Sequence, residues 1–471
     1  MNLLRNPGRR LRCSPRVTAR FPPAAPAPPP FPRDSIDTRT ENRPPVDWPR
    51  RRWLKAAGAS AAVALGVPAC APHREGTLRF WAMGREGEVV SELLAGFKRE
   101  RPDIRVAVEQ LPWSAAHEKL LTAFAGDATP DIAQLGNTWL PEFVALGALV
   151  PLDERIAATP EFEVADYFEG IWATNRIEGR VYGLPWYVDT RLLFYRRDLL
   201  QQAGFDRVAE SWPAWHEQLR AVKRVVGPDK FALLLPLNEY DPLVALALQS
   251  GEPLLRDGGR YGNFRGEGFR RTLDFYLSMY ADKLAPPASS NEIANVWNEF
   301  ARGYFSFYIT GPWNIGEFRR RLPAALQNSW ATAPLPGPNG PGASVAGGSS
   351  LAVFKRSQRQ AEAWALVSYL SRPTVQQRFR ALTGNLPPRR SAWAEPALMA
   401  DVPSLAFRQQ LERVRPVPQV PEWERIATEL RVVLEQVVHG DLKADAMPAE
   451  MDRRADRMLE KRRWMLARQS V

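Results

Sequence analysis

The stretch TLRFWAMGREGEVVSELLAGFKRERPDIRVAVEQLPW, residues 77–113, decides the fold. Thr77–Ala82 reads as a strand, followed by a turn at Gly84 and Gly87. Glu88–Arg101 then sets Val89, Val90, Leu93, Leu94 and Phe97 on one helical face, and Pro102 ends the helix. Ile104–Gln110 alternates apolar and polar residues as a second strand. His117–Ala125 predicts a second helix and Pro130–Leu135 a third strand. Strand, helix, strand, helix, strand at this spacing means βαβ units, a parallel sheet and an α/β chain. Ligands of such sheets gather beyond the carboxyl ends of the strands. Trp81, then Trp113, then Asn137-Thr138-Trp139 stand there, one tryptophan for each of three strands. A Trp-lined cleft is the expectation.

Upstream, Arg50-Arg51-Arg52-Trp53-Leu54-Lys55 precedes the uncharged run Ala56–Gly66, which leads through Pro68 and Ala69 to Cys70. A run of about 11 residues is too short for a permanent membrane span and suits the apolar core of an export signal. Residues 50–70 resemble a bacterial lipoprotein signal, with Cys70 as the lipidated residue. The Arg pair, aromatic, Leu and Lys also resemble a twin-arginine signal, so Sec and twin-arginine routes both stay open. Residues 1–49 are rich in Pro and Arg and are expected to be disordered. Residues 1–45 read as a misassigned extension: no Met falls between Met1 and Met83, and Val46 is a candidate start.

The chain carries a net charge of +11, and its composition alone would invite a nucleic-acid reading. Residues 1–55, however, hold 13 Lys and Arg against 4 Asp and Glu, and residues 56–69 hold no charge. A surplus of +9 of the +11 therefore precedes Cys70, and no nucleic-acid partner is expected. Cys13 and Cys70 are the two cysteines, so the body after Cys70 has no thiol for a disulfide, a zinc site or a nucleophile. His73, His117, His216 and His439 lack metal-site spacing and read as surface or capping residues. No metal or cofactor is expected. No P-loop occurs, so any energy for transport must come from a partner. No segment after residue 70 is long and apolar enough to span a membrane.

The order and spacing of further motifs identify a family. They are PDIAQLGNTW (130–139), GALVPLD (147–153), YGLPWYVDTRLLFYRRDLL (182–200), WPAWHEQLRAVK (212–223), FARGYFSFYITGPWNIGEF (300–318), AGGSSLAVFKRS (346–357) and ALTGNLPPRRSAW (381–393). Together they resemble the bacterial extracellular solute-binding proteins of family 1, the maltose- and oligosaccharide-type receptors of ABC importers, over residues 76–465. The resemblance implies a periplasmic-binding-protein-like, type II fold: two discontinuous α/β lobes joined by a multi-segment hinge. Lobe 1 is expected at 76–184 plus 350–388 and lobe 2 at 185–345 plus 389–465. Crossings are expected near Gly183-Leu184-Pro185, Gly347-Gly348-Ser349 and Leu386-Pro387-Pro388.

A sugar presents a flat C–H face and a rim of hydroxyls, which calls for aromatic platforms and short polar groups. With 16 Trp in the chain, the candidate ligand residues are Trp81, Trp113, Asn137, Thr138, Trp186, Tyr187, Asp189, Arg191, Trp313, Gly348, Arg389 and Trp423. Trp313, in Gly311-Pro312-Trp313-Asn314, resembles the family segment whose Trp stacks on a sugar. Trp423 resembles a position that closes the cleft. Trp212, Trp215, Trp330 and Trp364 read as core. The expected function is non-enzymatic capture of a di- or oligosaccharide by an exported, periplasmic, lipid-anchored monomer. Its partners are the permease subunits in the membrane and their cytoplasmic ATPase. Two alternatives remain: a glycoside-processing enzyme with an aromatic cleft, and a receptor for a non-sugar ligand.

Overall fold

A computed structural model describes residues 76–293 and 295–469. The export signal, Cys70 and the preceding Pro-rich stretch lie outside the described residues. The described residues form one compact unit, and its four hydrophobic cores draw on residues between Leu78 and Leu459.

The principal strands are β1 (Thr77–Met83), β2 (Arg105–Leu111), β3 (Ile132–Gly136), β4 (Leu184–Asp189) and β5 (Leu192–Arg196). They continue with β6 (Phe231–Leu234), β7 (Phe305–Thr310), β8 (Trp330–Ala333) and β9 (Gly347–Val353). Five of them form a first sheet in the order β2-β1-β3-β9-β4, and four a second in the order β8-β5-β7-β6. The expected parallel core is present, since β1 runs parallel to both β2 and β3. The strand that returns from the other lobe, β9, enters antiparallel between β3 and β4.

Helix α1 (Gly84–Glu100) begins at Gly84, where a turn was expected. The physical reason is Gly87, where a Cβ would sit 2.8 Å from the Ala82 carbonyl. Its absence lets the first helical turn fold directly back on the end of β1. Along β1, side chains alternate. Leu78, Phe80 and Ala82 join α1 in one core, while Trp81 and Met83 face the opposite core with Leu111, Leu120 and Phe143. Helix α2 (Trp113–Ala125) starts four residues earlier than expected, at the residue after Pro112.

The second sheet is covered by α3 (Trp212–Val226), α4 (Asp241–Ala247) and α5 (Glu267–Ala281), with α6 (Trp313–Arg321) following β7. Helices α7 (Gln360–Leu370) and α8 (Pro373–Thr383) return to pack with α1. The chain then closes with α9 (Trp423–His439), α10 (Met447–Met458) and α11 (Glu460–Gln469). Trp212, Trp215 and Trp330 are buried as expected, and Trp364 is half-buried, its ring tilted against Phe162 with centres 5.5 Å apart.

The chain leaves the first sheet at the end of β4, after Asp189. Three passages lie side by side there. Val188 pairs with Gly348 on one side and bridges Leu386 on the other. Gly348 permits this approach: its φ is +124°, and a Cβ would lie 2.2 Å from the Tyr187 carbonyl oxygen. Thr190 then ties the exit to the neighbouring passage, its hydroxyl donating to the Val345 carbonyl at 2.7 Å.

Candidate functional site

Beyond the ends of β3, β4 and β9, the first sheet's edge and loop and helix residues facing it enclose a cleft of about 180 Å³. Trp113, Asn137, Thr138, Trp139, Gly347 and Gly348 come from the first sheet's side. Asp189, Arg191, Tyr240, Asp241, Val417 and Trp423 complete it. Seven of the twelve sequence-derived candidates meet here.

The first wall is aromatic and braced from behind. Trp113 is 38% exposed and meets the edge of Trp139, ring centres 5.6 Å apart at 62°. Trp139 in turn lies 4.9 Å from the His117 ring, and His117 Nε2 is 2.7 Å from Glu142. Asn137 holds the loop: its amide donates to Thr174 Oγ1 at 2.9 Å and its carbonyl oxygen accepts from Ser350 at 3.0 Å. Its backbone N–H donates to Gly348. With both side-chain ends engaged, Asn137 positions Thr138 and Trp139.

The second wall is charged. Arg191 donates to Asp189 at 2.7 Å and pairs with Asp241 at 3.1 Å, while its guanidinium lies 4.8 Å from the Trp313 ring centre. Burial works against the charge of Arg191, yet Asp189 and Asp241 hold its pKa above the ordinary value. Burial raises the carboxyl of Asp189 despite Arg191. It also pushes Glu239 up to about 7, with Arg191 opposing and Asp241 adding. Tyr240 donates to Glu424 at 3.1 Å, which fixes the loop after β6 to the start of α9. Trp423, the first residue of α9, is almost fully buried yet still lines the cleft.

Beyond Arg191 lies a second compartment of about 790 Å³, again walled by both lobes. Arg85 and Glu86 at the start of α1, Thr383 and Asn385 after α8, and Trp313 with Arg319 on α6 line it. The Arg191–Trp313 contact is the partition. On the other side of the cleft, Trp113 packs so closely on Gly84 that a Cβ there would lie 3.0 Å from the indole. Trp313 is 44% exposed, so its ring is available at this partition. Among the described residues no group of three or more His, Cys, Asp or Glu could hold a metal ion.

Residues 83–377, more than half of the chain, match the family described as bacterial extracellular solute-binding protein. The chain belongs to this family. The solved sugar-binding protein MalE of Xanthomonas citri is 53% identical, covering 83% of this chain and 99% of that one with a TM-score of 0.81. The GacH receptor of Streptomyces glaucescens, solved unliganded and with acarbose, shares the fold at 24% identity and a TM-score of 0.69, covering 82% and 98% of the two chains. The diacetylchitobiose binding protein DasA of Streptomyces coelicolor is 22% identical over 79% of this chain and 87% of its own length. As a member of an extracellular solute-binding family, this protein is an exported binding protein.

Four candidates of this solute-binding protein sit away from the cleft, and one lies at its partition. Trp186 is fully buried and stacks on Phe379, centres 4.4 Å apart at 13°, so its ring faces are spent on the core. Trp81 faces the core on the α2 side, beneath Lys119 at 4.9 Å. Tyr187 is buried under the cleft floor, where its hydroxyl accepts from Gln134 at 3.4 Å and burial drives its pKa well up. Arg389 is a buried strut that donates to Asp166 at 2.6 Å and to the Ser371 carbonyl at 3.2 Å. Trp313 is the fifth, placed against Arg191. Trp139, expected at the end of the third strand, lines the cleft, and Tyr240, Asp241 and Val417 join it without having been selected from the sequence. The signal was readable for Tyr240 and Asp241: the polar-aromatic run Asn238–Asp241 follows strand β6 after Leu235-Pro236-Leu237.

Proposed function

We propose that this protein is the carbohydrate receptor of an ABC importer, closing its two lobes on a di- or oligosaccharide and presenting it to the membrane permease. The observation that carries this reading is the pairing of an exposed, braced Trp113–Trp139 wall with the polar Asp189–Arg191–Asp241 wall across one cleft. Indole faces suit the C–H face of a pyranose, and the ion triad offers acceptors and donors to its hydroxyls. Trp313 supplies a further face from the second lobe, and Trp423 backs the cleft from behind. The 53%-identical sugar-binding relative supports the same ligand class. The two compartments together approach the upper end of the roughly 300–1,000 Å³ typical of small-molecule clefts, which favours more than one sugar ring.

The lobes divide at three passages: Asp189–Arg191, Ala346–Gly347 and Leu386–Arg389. Sugar bound between them biases the hinge toward closure because both walls contribute contacts only when closed. A hydrolase would need two carboxylates free for acid and nucleophile or base. Asp189 and Asp241 are instead both committed to Arg191, which favours binding without chemistry. The same commitment disfavours an anionic ligand, since Arg191 is already doubly paired.

A thermal-shift screen tests this directly. Ligand at 100 times its Kd stabilises by about 2.7 kcal/mol. Maltose, trehalose, sucrose or cellobiose is expected to raise the melting temperature and to be recovered uncleaved. No shift with any neutral sugar overturns the reading. Lipidation at Cys70 completes the proposal, with the protein acting as a tethered monomer. In 500 mM NaCl, where electrostatic adsorption to lipid is screened, Cys70→Ser is expected to move it from the membrane fraction to the soluble fraction.

A further inference from the structure

The last two helices separate their charges. Along α10 and its continuation, Met447, Met451, Ala455 and Leu459 are fully buried against the second lobe. Three acids of this segment are used inward or locally, while Glu460 is exposed beside Lys461. Asp452 accepts from the Phe264 N–H at 2.7 Å and Asp456 from the Gly262 N–H at 2.8 Å. Glu450 accepts from Arg453 and Arg454, whose hydrogen bonds hold its pKa down at about 2.

The outward face keeps the cations. Arg453, Arg457, Lys461 and Arg468 are exposed, and steps of four, four and seven residues place them on one side of a helix. Leu459, the single residue between α10 and α11, keeps a helical backbone conformation, so the stripe is continuous. Arg457 and Lys461 form no ion pair among the described residues, and neither does the exposed Arg425 on α9. Arg425, Arg453, Arg454 and Arg457 line a cavity of about 310 Å³ with Glu429 and Met458. On the same stripe Trp464 is 55% exposed and the neighbouring Met465 39%, with the Arg468 guanidinium 3.9 Å from the Trp464 ring centre.

We infer that this face docks on an anionic phospholipid surface, with the Arg425–Arg457 cavity receiving a headgroup phosphate and Trp464 entering the interfacial layer. Unpaired Arg and Lys complement anionic headgroups. An exposed Trp beside Met within a basic helix is the composition of an interfacial contact, whereas an acidic protein partner would give that indole no apolar layer. The inference is independent of the sugar reading and of Cys70.

The test uses residues 73–471, which carry all the described cores, and co-sedimentation with vesicles at 50 mM NaCl. Binding to 1:1 DOPC:DOPG vesicles and none to DOPC alone is expected, with loss at 500 mM NaCl. R457Q/K461Q is expected to weaken partitioning on the order of 30-fold and R425Q about fivefold. Both variants change exposed side chains and should keep the wild-type melting temperature. Equal partitioning to neutral and anionic vesicles, or wild-type binding by R457Q/K461Q, overturns the inference.

Discussion

The two walls of the cleft solve different problems. The first-lobe wall is apolar and stiff: Trp113 leans on Trp139, which leans on His117, which is fixed by Glu142. The facing wall is polar and under electrostatic tension, with Asp189 at the end of β4, Asp241 and the protonation-prone Glu239 gathered around Arg191. The difference teaches that shape is set on one side and charge on the other. Neither wall alone specifies a ligand, so closure is what completes the site.

The sharpest break of that comparison lies underneath it. Trp186 and Trp113 are the same residue type on the same lobe, one spent on the core and one on the cleft. Trp186→Ala is expected to cost about 3–5 kcal/mol of stability through the cavity it leaves, read by urea unfolding. Next comes Arg191→Met, which strands two carboxylates in the polar wall. Losing one partner of a buried ion pair costs about 3–5 kcal/mol, and the partial exposure here places the effect at or below the lower bound. Sugar binding by titration calorimetry should fall below detection while the far-ultraviolet circular dichroism spectrum persists. Trp113→Ala comes third. It removes a face worth about 1.5–3 kcal/mol on burial, so Kd should rise on the order of 10- to 100-fold. Its melting temperature without sugar should stay near wild type, unlike that of Trp186→Ala.

The smallest effect is a pH dependence. Burial, aided by Asp241, lifts Glu239 in the folded state to about 7, above its unfolded value near 4.5. The folded protein therefore holds a proton that the unfolded chain has released between about pH 4.5 and 7. Stability attributable to this group is highest below that window and declines as pH rises through it. Glu239→Gln should consequently raise the melting temperature at pH 8 relative to wild type and leave it unchanged at pH 4.5. An equal change at both pH values would remove Glu239 from the charged wall.

The sequence carried the first sheet well because β1 and β2 alternate and β3 is a short apolar run. The start of α2 was legible in Pro112, which suits the position before a first helical turn, but the Trp113-Ser114 pair masked it. Strand-end polar residues such as Thr138 and Asp189 were legible because topology alone places them at the cleft. Trp186 was not, since β4 is buried on both faces and alternation then says nothing about which face meets a ligand. Arg389 was equally opaque: its partner Asp166 lies 223 residues away, and no local pattern announces the pair.

The three passages laced at Leu386, Val188 and Gly348 have a mechanical meaning. A single connecting strand would let the lobes swivel in any direction. Three ribbons bonded edge to edge bend across their common width and resist torsion, as a strap hinge does. The search for closure then runs along one angle, and the entropy lost on trapping a sugar is correspondingly small.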